Sequence, residues 1–267
     1  MPDLAELRDL AVRLATEAGE LLASLVAAER TSVATKSTAT DMVTEMDRAS
    51  EALLVRRLRE LCPQDGIIGE EGASHEGESG VVWVVDPLDG TTNYLYGHPF
   101  WNVSVGATLD GEPVAGAVAV PSLGETFAGA VGRGSTRNGQ PLRIAPPAPL
   151  DACLVGTGFG YDPAQRVAQA GALATFLDRI RDIRRGGAAA ADLCGVACGR
   201  LDAYYEHGLY EWDRVAGTVI AREAGARVEV LPSPIPGTGV AGDCTVAAHP
   251  QRFDELVEVL AGAGLLG

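Results

Sequence analysis

Hydrophobic residues near the start of the chain recur at the spacing of an amphipathic helix. From Leu4 onward they fall every three or four positions, so one face of the predicted helix is apolar. Residues 31–40 are rich in Ser, Thr and Ala without this period, and we interpret them as a loop. In a second predicted helix, Thr44 and Asp47 resemble a capping pair at the start, and the apolar face extends to Leu61. Asp47 therefore also has a purely structural interpretation, as a helix-start carboxylate.

Further along the chain, the period changes to that of strands. Residues 81–85 form an apolar, β-branched run typical of a strand buried on both faces. Pro87 is expected to end its pairing, because proline has no N–H group. Residues 101–143 are short alternating stretches broken by turn signals, which indicates an antiparallel meander. A proline-rich stretch at 141–149 then marks an expected boundary between two halves.

Beyond that boundary, predicted strands and helices alternate. The strands are expected at 153–156, 201–205, 226–231 and 245–248, and the helices near 163–181, 188–198, 213–224 and 250–262. This layering indicates an α/β protein. We expect residues 1–145 and 146–267 to form two halves of one compact unit, which suits a chain of 267 residues.

The composition is that of a globular protein, with 46% hydrophobic and 21% charged residues. The formal net charge of −15 argues against a nucleic-acid partner, because binding to a phosphate backbone needs basic patches. The amino terminus lacks the basic and apolar regions of a signal peptide, and no apolar run approaches a membrane span. We therefore expect a cytoplasmic protein without a membrane partner.

The cysteines and histidines indicate neither a disulfide framework nor a zinc site. The five cysteines are scattered and odd in number. Cys194 and Cys198 have the spacing of a metal pair on a helix, but their small apolar neighbours favour two buried side chains without a metal. The four histidines form no cluster in the sequence.

Candidate chemistry is concentrated in residues 81–94, which read VVWVVDPLDGTTNY. Asp86 and Asp89 follow the buried strand, and Gly90 and Thr91 can offer backbone N–H groups directly after them. If a helix starts there, its free N–H groups form an anion site beside a cation site. A Pro-Leu-Asp-Gly segment is also a common turn, so this motif alone does not decide between the two interpretations.

Three other motifs also place a carboxylate beside apolar residues. Glu70 follows an apolar pair, Asp47 lies in the segment 41–47, and Asp213 lies in the segment 211–217. An unpaired charge is costly to bury in such surroundings. A divalent metal shared by these carboxylates would remove that cost.

In this order, the motifs resemble the inositol monophosphatase family of magnesium-dependent, lithium-sensitive phosphatases. The resemblance covers Lys36 and residues 41–47, 69–71, 86–94, 202–206 and 212–217. It implies a five-layer αβαβα sandwich with the metals and the substrate in a cleft between the two halves. It also implies a homodimer.

By this resemblance, the metal ligands are Glu70, Asp86, the backbone carbonyl group of Leu88, Asp89 and Asp213. Asp86 would bridge two ions, and a third, weaker ion would lie near Glu70. Hard oxygen donors suit Mg²⁺, which also keeps waters and phosphate oxygens as ligands. We expect Mn²⁺ to be able to replace Mg²⁺, and Li⁺ and Ca²⁺ to inhibit.

The same resemblance assigns catalysis to Glu70, Thr91 and Asp47, which would orient and deprotonate the attacking water. The N–H groups of Gly90 and Thr91 would hold the phosphate, and two or three cations would neutralise the charge of its transition state. No cysteine or serine sits in a nucleophile motif, so a covalent phosphoenzyme is not expected.

Substrate choice depends on residues outside the metal site. The phosphate turn reads Gly-Thr-Thr-Asn, as in the inositol phosphatases, whereas relatives with Asp-Gly-Thr-Lys there often act on adenosine bisphosphates or histidinol phosphate. Ala189, Glu206 and Asp213 would contact the substrate, and Glu206 would accept hydrogen bonds from its hydroxyl groups. Glu206 also has an interpretation as a surface acid at a strand end. Ala188, where relatives often carry a hydroxyl group, and residues 158–161 leave the far wall of the pocket undefined.

The sequence therefore favours a phosphomonoesterase that acts on inositol 1-phosphate or a similar small polyol or sugar phosphate. Histidinol phosphate, fructose 1,6-bisphosphate and 3′-phosphoadenosine 5′-phosphate are alternative substrates within the same superfamily. A metal-binding or regulatory protein that has lost turnover is a further alternative. It is disfavoured because every expected ligand is present, together with Thr91 and Asp47.

Overall fold

The computed structural model describes residues 2–31, 39–235 and 243–267, with side chains for 2–25, 45–235 and 243–267. Most of the loop predicted at 31–40, including Lys36, lies outside the described residues, as do the side chains of Asp41 and Thr44. None of the helices in the described segments combines the length and the apolar character that a membrane crossing requires.

Two helices form the outer layer of the first half. Helix α1 (Leu4–Thr31) buries the apolar face predicted from its period, and α2 (Ala39–Leu61) packs beside it. No Gly or Pro interrupts residues 39–46, so α2 begins well before Asp47. The prediction that Asp47 lies at the helix start was therefore wrong. Leu61 is 51% exposed and does not extend the buried face of α2 as predicted, because the helix ends at this residue.

The first sheet has eight strands and packs against these helices. Its strands are β1 (Gly66–Gly69), β2 (Ser74–His75), β3 (Val81–Asp89), β4 (Asn102–Leu109), β5 (Glu112–Val120), β6 (Glu125–Ala130), β7 (Gly134–Arg137) and β8 (Gln140–Pro141). They pair in the order β2-β1-β3-β4-β5-β6-β7-β8, with β1 parallel to β3 and the other neighbours antiparallel. The meander predicted at 101–143 is confirmed by the consecutive pairing of β4 to β8.

Strand β3 carries the central motif and departs from the prediction. It pairs with β1 only over its first part, but with β4 it continues to Asp89, with a register shift between Asp86 and Asp89. Pro87 therefore makes the pairing irregular without ending the strand, because its missing N–H group removes only one donor. Gly90 follows with a φ of 86°, a left-handed conformation that suits glycine, and a short helix α3 (Thr91–Leu95) begins.

The second sheet has five strands in the order β10-β9-β11-β13-β12. Its strands are β9 (Leu154–Thr157), β10 (Asp182–Arg184), β11 (Ala203–His207), β12 (Arg227–Pro232) and β13 (Asp243–Ala248), and the helices around it are α4 (Pro163–Ala174), α5 (Ala189–Ala197), α6 (Glu211–Glu223) and α7 (Pro250–Gly262). The helix predicted at 163–181 is too long, because α4 ends at Ala174 and a 3₁₀ turn leads into β10. β10 exists because it pairs with β9, a contact that local periodicity does not reveal.

Helices and sheets alternate through the molecule. α1 and α2 cover one face of the first sheet, α5 and α6 lie between the two sheets, and α7 with part of α4 covers the outer face of the second sheet. The predicted five-layer αβαβα sandwich is therefore confirmed. The division into 1–145 and 146–267 stays a prediction, since α6 packs against strands of the first sheet although it belongs to the second half of the sequence.

Three glycines allow α6 to lie close against the first sheet. Gly106, Gly116 and Gly129 are neighbours across β4, β5 and β6. A Cβ atom at Gly116 would come within 2.7 Å of the Cα atom of Ala216, and one at Gly129 would come within 3.1 Å of the Cα atom of Ile220. The helix therefore rests on main-chain atoms of the sheet.

Candidate active site

A cavity of about 240 Å³ opens where the end of β3, the starts of α3, α5 and α6, and the end of β11 meet. Its lining includes Glu70, Asp86, Leu88, Asp89, Gly90, Thr91, Ala189, Glu206 and Asp213. The structure therefore brings together the predicted site residues with one exception. Asp47 is not part of the described lining.

Asp86 and Leu88 are fixed by the irregular end of β3. Asp86 is almost fully buried, and its Oδ1 atom accepts a hydrogen bond of 2.9 Å from the N–H group of Leu88. The carbonyl oxygen of Leu88 accepts one of 3.0 Å from the Thr91 hydroxyl group. The hydroxyl group of Ser50 donates to the carbonyl oxygen of Pro87 over 2.8 Å. These bonds hold the strand end that carries three of the predicted ligands.

Asp89 is held by two neighbouring elements. Its Oδ2 atom accepts hydrogen bonds of 2.7 Å from the side chain of Asn102 and 2.9 Å from the N–H group of Ala190. Its Oδ1 atom accepts one of 3.2 Å from the N–H group of Ala189. The first N–H groups of α5 thus point at a carboxylate, which the positive end of the helix dipole stabilises.

Asp213 and Glu70 complete the acidic wall of the cavity. Asp213 lies in the first turn of α6, where its Oδ2 atom accepts a 2.7 Å hydrogen bond from the N–H group of Tyr210 as part of a capping box. Glu70 directly follows β1 and is open to the cavity. Burial raises the pKa values of Glu70, Asp86 and Asp213, and repulsion by neighbouring carboxylates raises them further.

The donor atoms of this wall suit a divalent cation. Four carboxylates and one carbonyl group face a cavity in which Arg185 is the only Lys or Arg side chain of the described lining. A hard cation such as Mg²⁺ would remove their mutual repulsion. In the described part of the chain, however, no three acidic, His or Cys side chains converge into a ready ligand group. Several carboxylate oxygens instead accept the hydrogen bonds described above.

Asp47 and Thr91 are not joined by a hydrogen bond among the described contacts. The Thr91 hydroxyl group donates to Leu88, and the Oδ1 atom of Asp47 has no partner within the described residues. Asp47 is buried, and this burial, followed by the charges of Glu71 and Glu70, raises its pKa to about 7. Its carboxyl group can therefore change protonation near neutral pH.

Glu206 brings a further carboxylate to the cavity from strand β11. Its Oε2 atom accepts a 2.6 Å hydrogen bond from the hydroxyl group of Tyr204. The carboxylate lies over Gly158, where any side chain would collide with it. Burial raises the pKa of Glu206 to about 7, whereas the bond from Tyr204 and the charge of Arg185 oppose this rise.

Sequence reasoning did not single out two residues that shape the site. Asn102 anchors Asp89, but the pair is visible only from the register of β3 and β4, in which the two residues are partners. Arg185 lines the cavity, and its sequence signal was only a positive charge before the helix predicted at 188–198.

Comparison with known proteins decides the family. A sequence profile described as the inositol monophosphatase family matches residues 3–262. The chain belongs to this family. The resemblance predicted from the motifs is therefore confirmed, and this inositol monophosphatase family member is a phosphatase of a kind that generally depends on metal ions.

Individual members of the inositol monophosphatase family match along most of the chain. A Mycobacterium tuberculosis protein named inositol-1-monophosphatase SuhB is 43% identical, over 96% of this chain and 93% of its own length. A Pseudomonas aeruginosa protein named Nus factor SuhB is 40% identical, over 82% of this chain and 83% of its own length. A solved structure described as Mycobacterium tuberculosis SuhB has a TM-score of 0.86 and 41% identity, and covers 100% of both chains.

Proposed function

We propose that this phosphatase is Mg²⁺-dependent and hydrolyses inositol 1-phosphate or a similar small polyol phosphate. One observation carries the proposal: a single cavity combines a wall of four carboxylates with the turn at residues 90–91 and with Glu206. The carboxylates suit cations, the turn suits a phosphate group, and Glu206 suits hydroxyl groups. A polyol phosphate satisfies all three at once.

The proposed ligands of Mg²⁺ are Glu70, Asp86, the carbonyl group of Leu88, Asp89 and Asp213. Cations held by these groups would neutralise negative charge on the phosphoryl oxygens and would lower the pKa of the attacking water. Asp86 and Asp89 each accept hydrogen bonds from the protein, which fix the orientation of these carboxylates.

The protein's own groups bind the phosphate and orient the water. At the start of α3 the first N–H groups have no partner within the helix, so those of Gly90 and Thr91 are proposed to hold the phosphate. Glu70 is proposed to accept the proton of the attacking water. The Thr91 hydroxyl group would orient that water after turning from Leu88 towards Asp47, whose Oδ1 atom has no partner within the described residues.

The alcohol part of the substrate is proposed to lie against Glu206, Ala189 and Asp213. Glu206 accepts hydrogen bonds from the polyol hydroxyl groups, which are worth more to a charged acceptor than to a neutral one. Ala189 has only a methyl group, so it leaves room for a ring. Glu206 and Ala189 line the same cavity as the acidic wall, to which Asp213 belongs.

Phosphate release from a panel of substrates tests the proposal. The panel contains inositol 1-phosphate, glycerol 2-phosphate, fructose 1,6-bisphosphate, histidinol phosphate and an adenosine 3′,5′-bisphosphate, each with Mg²⁺ and with a chelator. We expect the highest kcat/KM on inositol 1-phosphate and no turnover in the chelator. A clear preference for a bisphosphate or for histidinol phosphate would assign the chain to a different substrate class of the superfamily.

A role without turnover is the second candidate, because the Pseudomonas aeruginosa relative is named a Nus factor. A regulatory protein on this fold would bind Mg²⁺ but hydrolyse no member of the panel. The net charge of −15 disfavours direct contact with nucleic acid, so such a role would require a protein partner. Phosphate release from the panel separates the two candidates, and calorimetric titration with Mg²⁺ shows whether a chain without turnover still binds the cation.

A further inference from the structure

We propose that Tyr204 is a positioning residue for polyol recognition: its hydroxyl group holds the carboxylate of Glu206 in the orientation that receives substrate hydroxyl groups. The inference rests on the proposed function, because it assumes that Glu206 contacts a polyol. Tyr204 itself does not line the described cavity.

The ring of Tyr204 is held rigidly in the second sheet. Tyr204 is fully buried. On the two strands that flank β11, it pairs with Gly156 of β9 and with Ala247 of β13. Both partners are small, which makes room for the ring; a Cβ atom at Gly156 would come within 3.2 Å of the Cδ2 atom of Tyr204. The hydroxyl group therefore has a fixed position from which to donate.

Glu206 lies two positions further along the same strand, on the same face of the sheet. The 2.6 Å separation between the Tyr204 hydroxyl oxygen and Oε2 is typical of a hydrogen bond to a charged acceptor. On its other side the carboxylate lies over Gly158, which leaves space that a side chain would fill. The Tyr204 hydroxyl group and the absence of a side chain at Gly158 therefore set the position of the carboxylate.

The hydrogen bond also favours the ionised form of Glu206. The titratable or charged groups that face this carboxylate are Asp89, Asp192, Asp213, Arg185 and Tyr204, whereas Tyr205 and Cys244 lie nearby on the opposite face of the sheet. Burial raises the pKa of Glu206, and the Tyr204 hydroxyl group and the charge of Arg185 oppose this rise. The resulting pKa is about 7. Without the hydroxyl group, more of Glu206 is protonated at neutral pH and accepts hydrogen bonds less well.

The neighbouring tyrosine provides a matched control. Tyr205 is also buried, but it points to the opposite face of the sheet, where its ring lies 6.0 Å from that of Phe176. Tyr205→Phe removes an equivalent hydroxyl group from the same strand and leaves the hydrogen bond between Tyr204 and Glu206 in place. Any general effect of losing a buried hydroxyl group should appear in both variants.

The experiment measures kcat and KM for inositol 1-phosphate and for 4-nitrophenyl phosphate, whose leaving group offers no hydroxyl donors. It compares Tyr204→Phe, Tyr205→Phe, Glu206→Gln and the double variant of Tyr204 and Glu206, all with Mg²⁺. We expect Tyr204→Phe to raise KM for inositol 1-phosphate about tenfold and to affect 4-nitrophenyl phosphate less. Tyr205→Phe should leave the ratio between the two substrates unchanged. In the Glu206→Gln background, Tyr204→Phe should add little, since both changes act through one carboxylate.

A pH series gives a readout that a packing role would not move. The wild-type preference for inositol 1-phosphate should weaken as the pH falls and Glu206 becomes protonated. In Tyr204→Phe this loss should begin at a higher pH.

The remaining outcomes would contradict either the positioning role of Tyr204 or the proposed function. Equal losses on both substrates or additive effects in the double variant would show that Tyr204 serves only packing and would overturn the inference. If the wild type does not prefer the polyol, or if Glu206→Gln leaves the ratio unchanged, the proposed function itself is wrong.

Discussion

Replacing Asp213 by Asn separates a metal ligand from a helix cap. In the structure Asp213 accepts the N–H group of Tyr210 over 2.7 Å, and an Asn side chain can accept the same bond through its amide oxygen. The loss of charge near the helix start should cost about 0.3–1 kcal/mol. Relief of repulsion from Asp89, Glu70 and Glu206 acts in the opposite direction. Without Mg²⁺, we therefore expect the free energy of unfolding to change by less than about 1 kcal/mol.

With Mg²⁺ present, the same substitution should have a large effect. Loss of a group that only supports a ligand already weakens metal binding by roughly 10–100-fold, so loss of Asp213 itself should cost about 100-fold or more. At a Mg²⁺ concentration of 100 times the wild-type Kd, the wild type gains about 2.7 kcal/mol of stability, whereas the variant gains about 0.4 kcal/mol. For a chain of this size these gains correspond to Tm increases of roughly 5–10 °C and about 1 °C.

Thermal unfolding with Mg²⁺ and with a chelator measures both effects, and phosphate release measures turnover. Asp162→Asn is the matched control, because Asp162 caps α4 by accepting the N–H group of Ala164 over 2.8 Å and lies outside the acidic wall. The control should keep the full Mg²⁺-dependent increase in Tm. A wild-type increase in Tm together with near-wild-type turnover in Asp213→Asn would refute the assignment of Asp213 as a ligand.

Three further predictions concern the cations, the substrate contact and the response to acid. Turnover should stop in a chelator and be inhibited by Ca²⁺, which accepts a looser geometry than Mg²⁺; unchanged turnover in the chelator would exclude a metal mechanism. Glu206→Gln should lower kcat/KM on inositol 1-phosphate by roughly 10–100-fold and on 4-nitrophenyl phosphate by less, and equal losses would contradict a polyol contact. The Arg200 guanidinium group lowers the pKa of Glu125, so this pair should stabilise the fold at neutral pH by less than about 1 kcal/mol. That contribution should disappear as the pH falls below about 4, and urea unfolding of Glu125→Gln should show a shallower loss of stability with acid.

Local periodicity predicted most helices and strands, and the family resemblance implied the five layers, but neither showed the points where distant contacts override the local pattern. The alternation of strands and helices was visible because apolar residues recur with a different period in each kind of element. The end of α4 and the start of β10 were missed, because β10 depends on pairing with β9. The start of α2 was misplaced because Asp47 has a good local reason to cap a helix, whereas its buried position near Glu70 and Glu71 is a tertiary feature.

The site residues show the same difference between local motifs and distant contacts. Four carboxylates of the cavity, Glu70, Asp86, Asp89 and Asp213, were predicted because each lies in a short motif beside apolar residues, whereas the role of Glu206 was implied by the family resemblance. The groups that fix them were not predicted: Asn102 reaches Asp89 only through the register of two strands, and Glu206 lies over Gly158 only once β11 has paired with β9. A single sequence therefore indicated which atoms could react but not what holds them in place.

The glycines beneath α6 set the shortest possible distance between this helix and the first sheet. Because Gly106, Gly116 and Gly129 present only main-chain atoms, the height of α6 above the first sheet is already at its lower limit and can only increase. Asp213 is carried in the first turn of that helix, whereas Asp86 is carried by the sheet. A single methyl group added beneath α6 would therefore separate the two carboxylates, so a substitution remote from the cavity can lower activity without altering any residue that lines it.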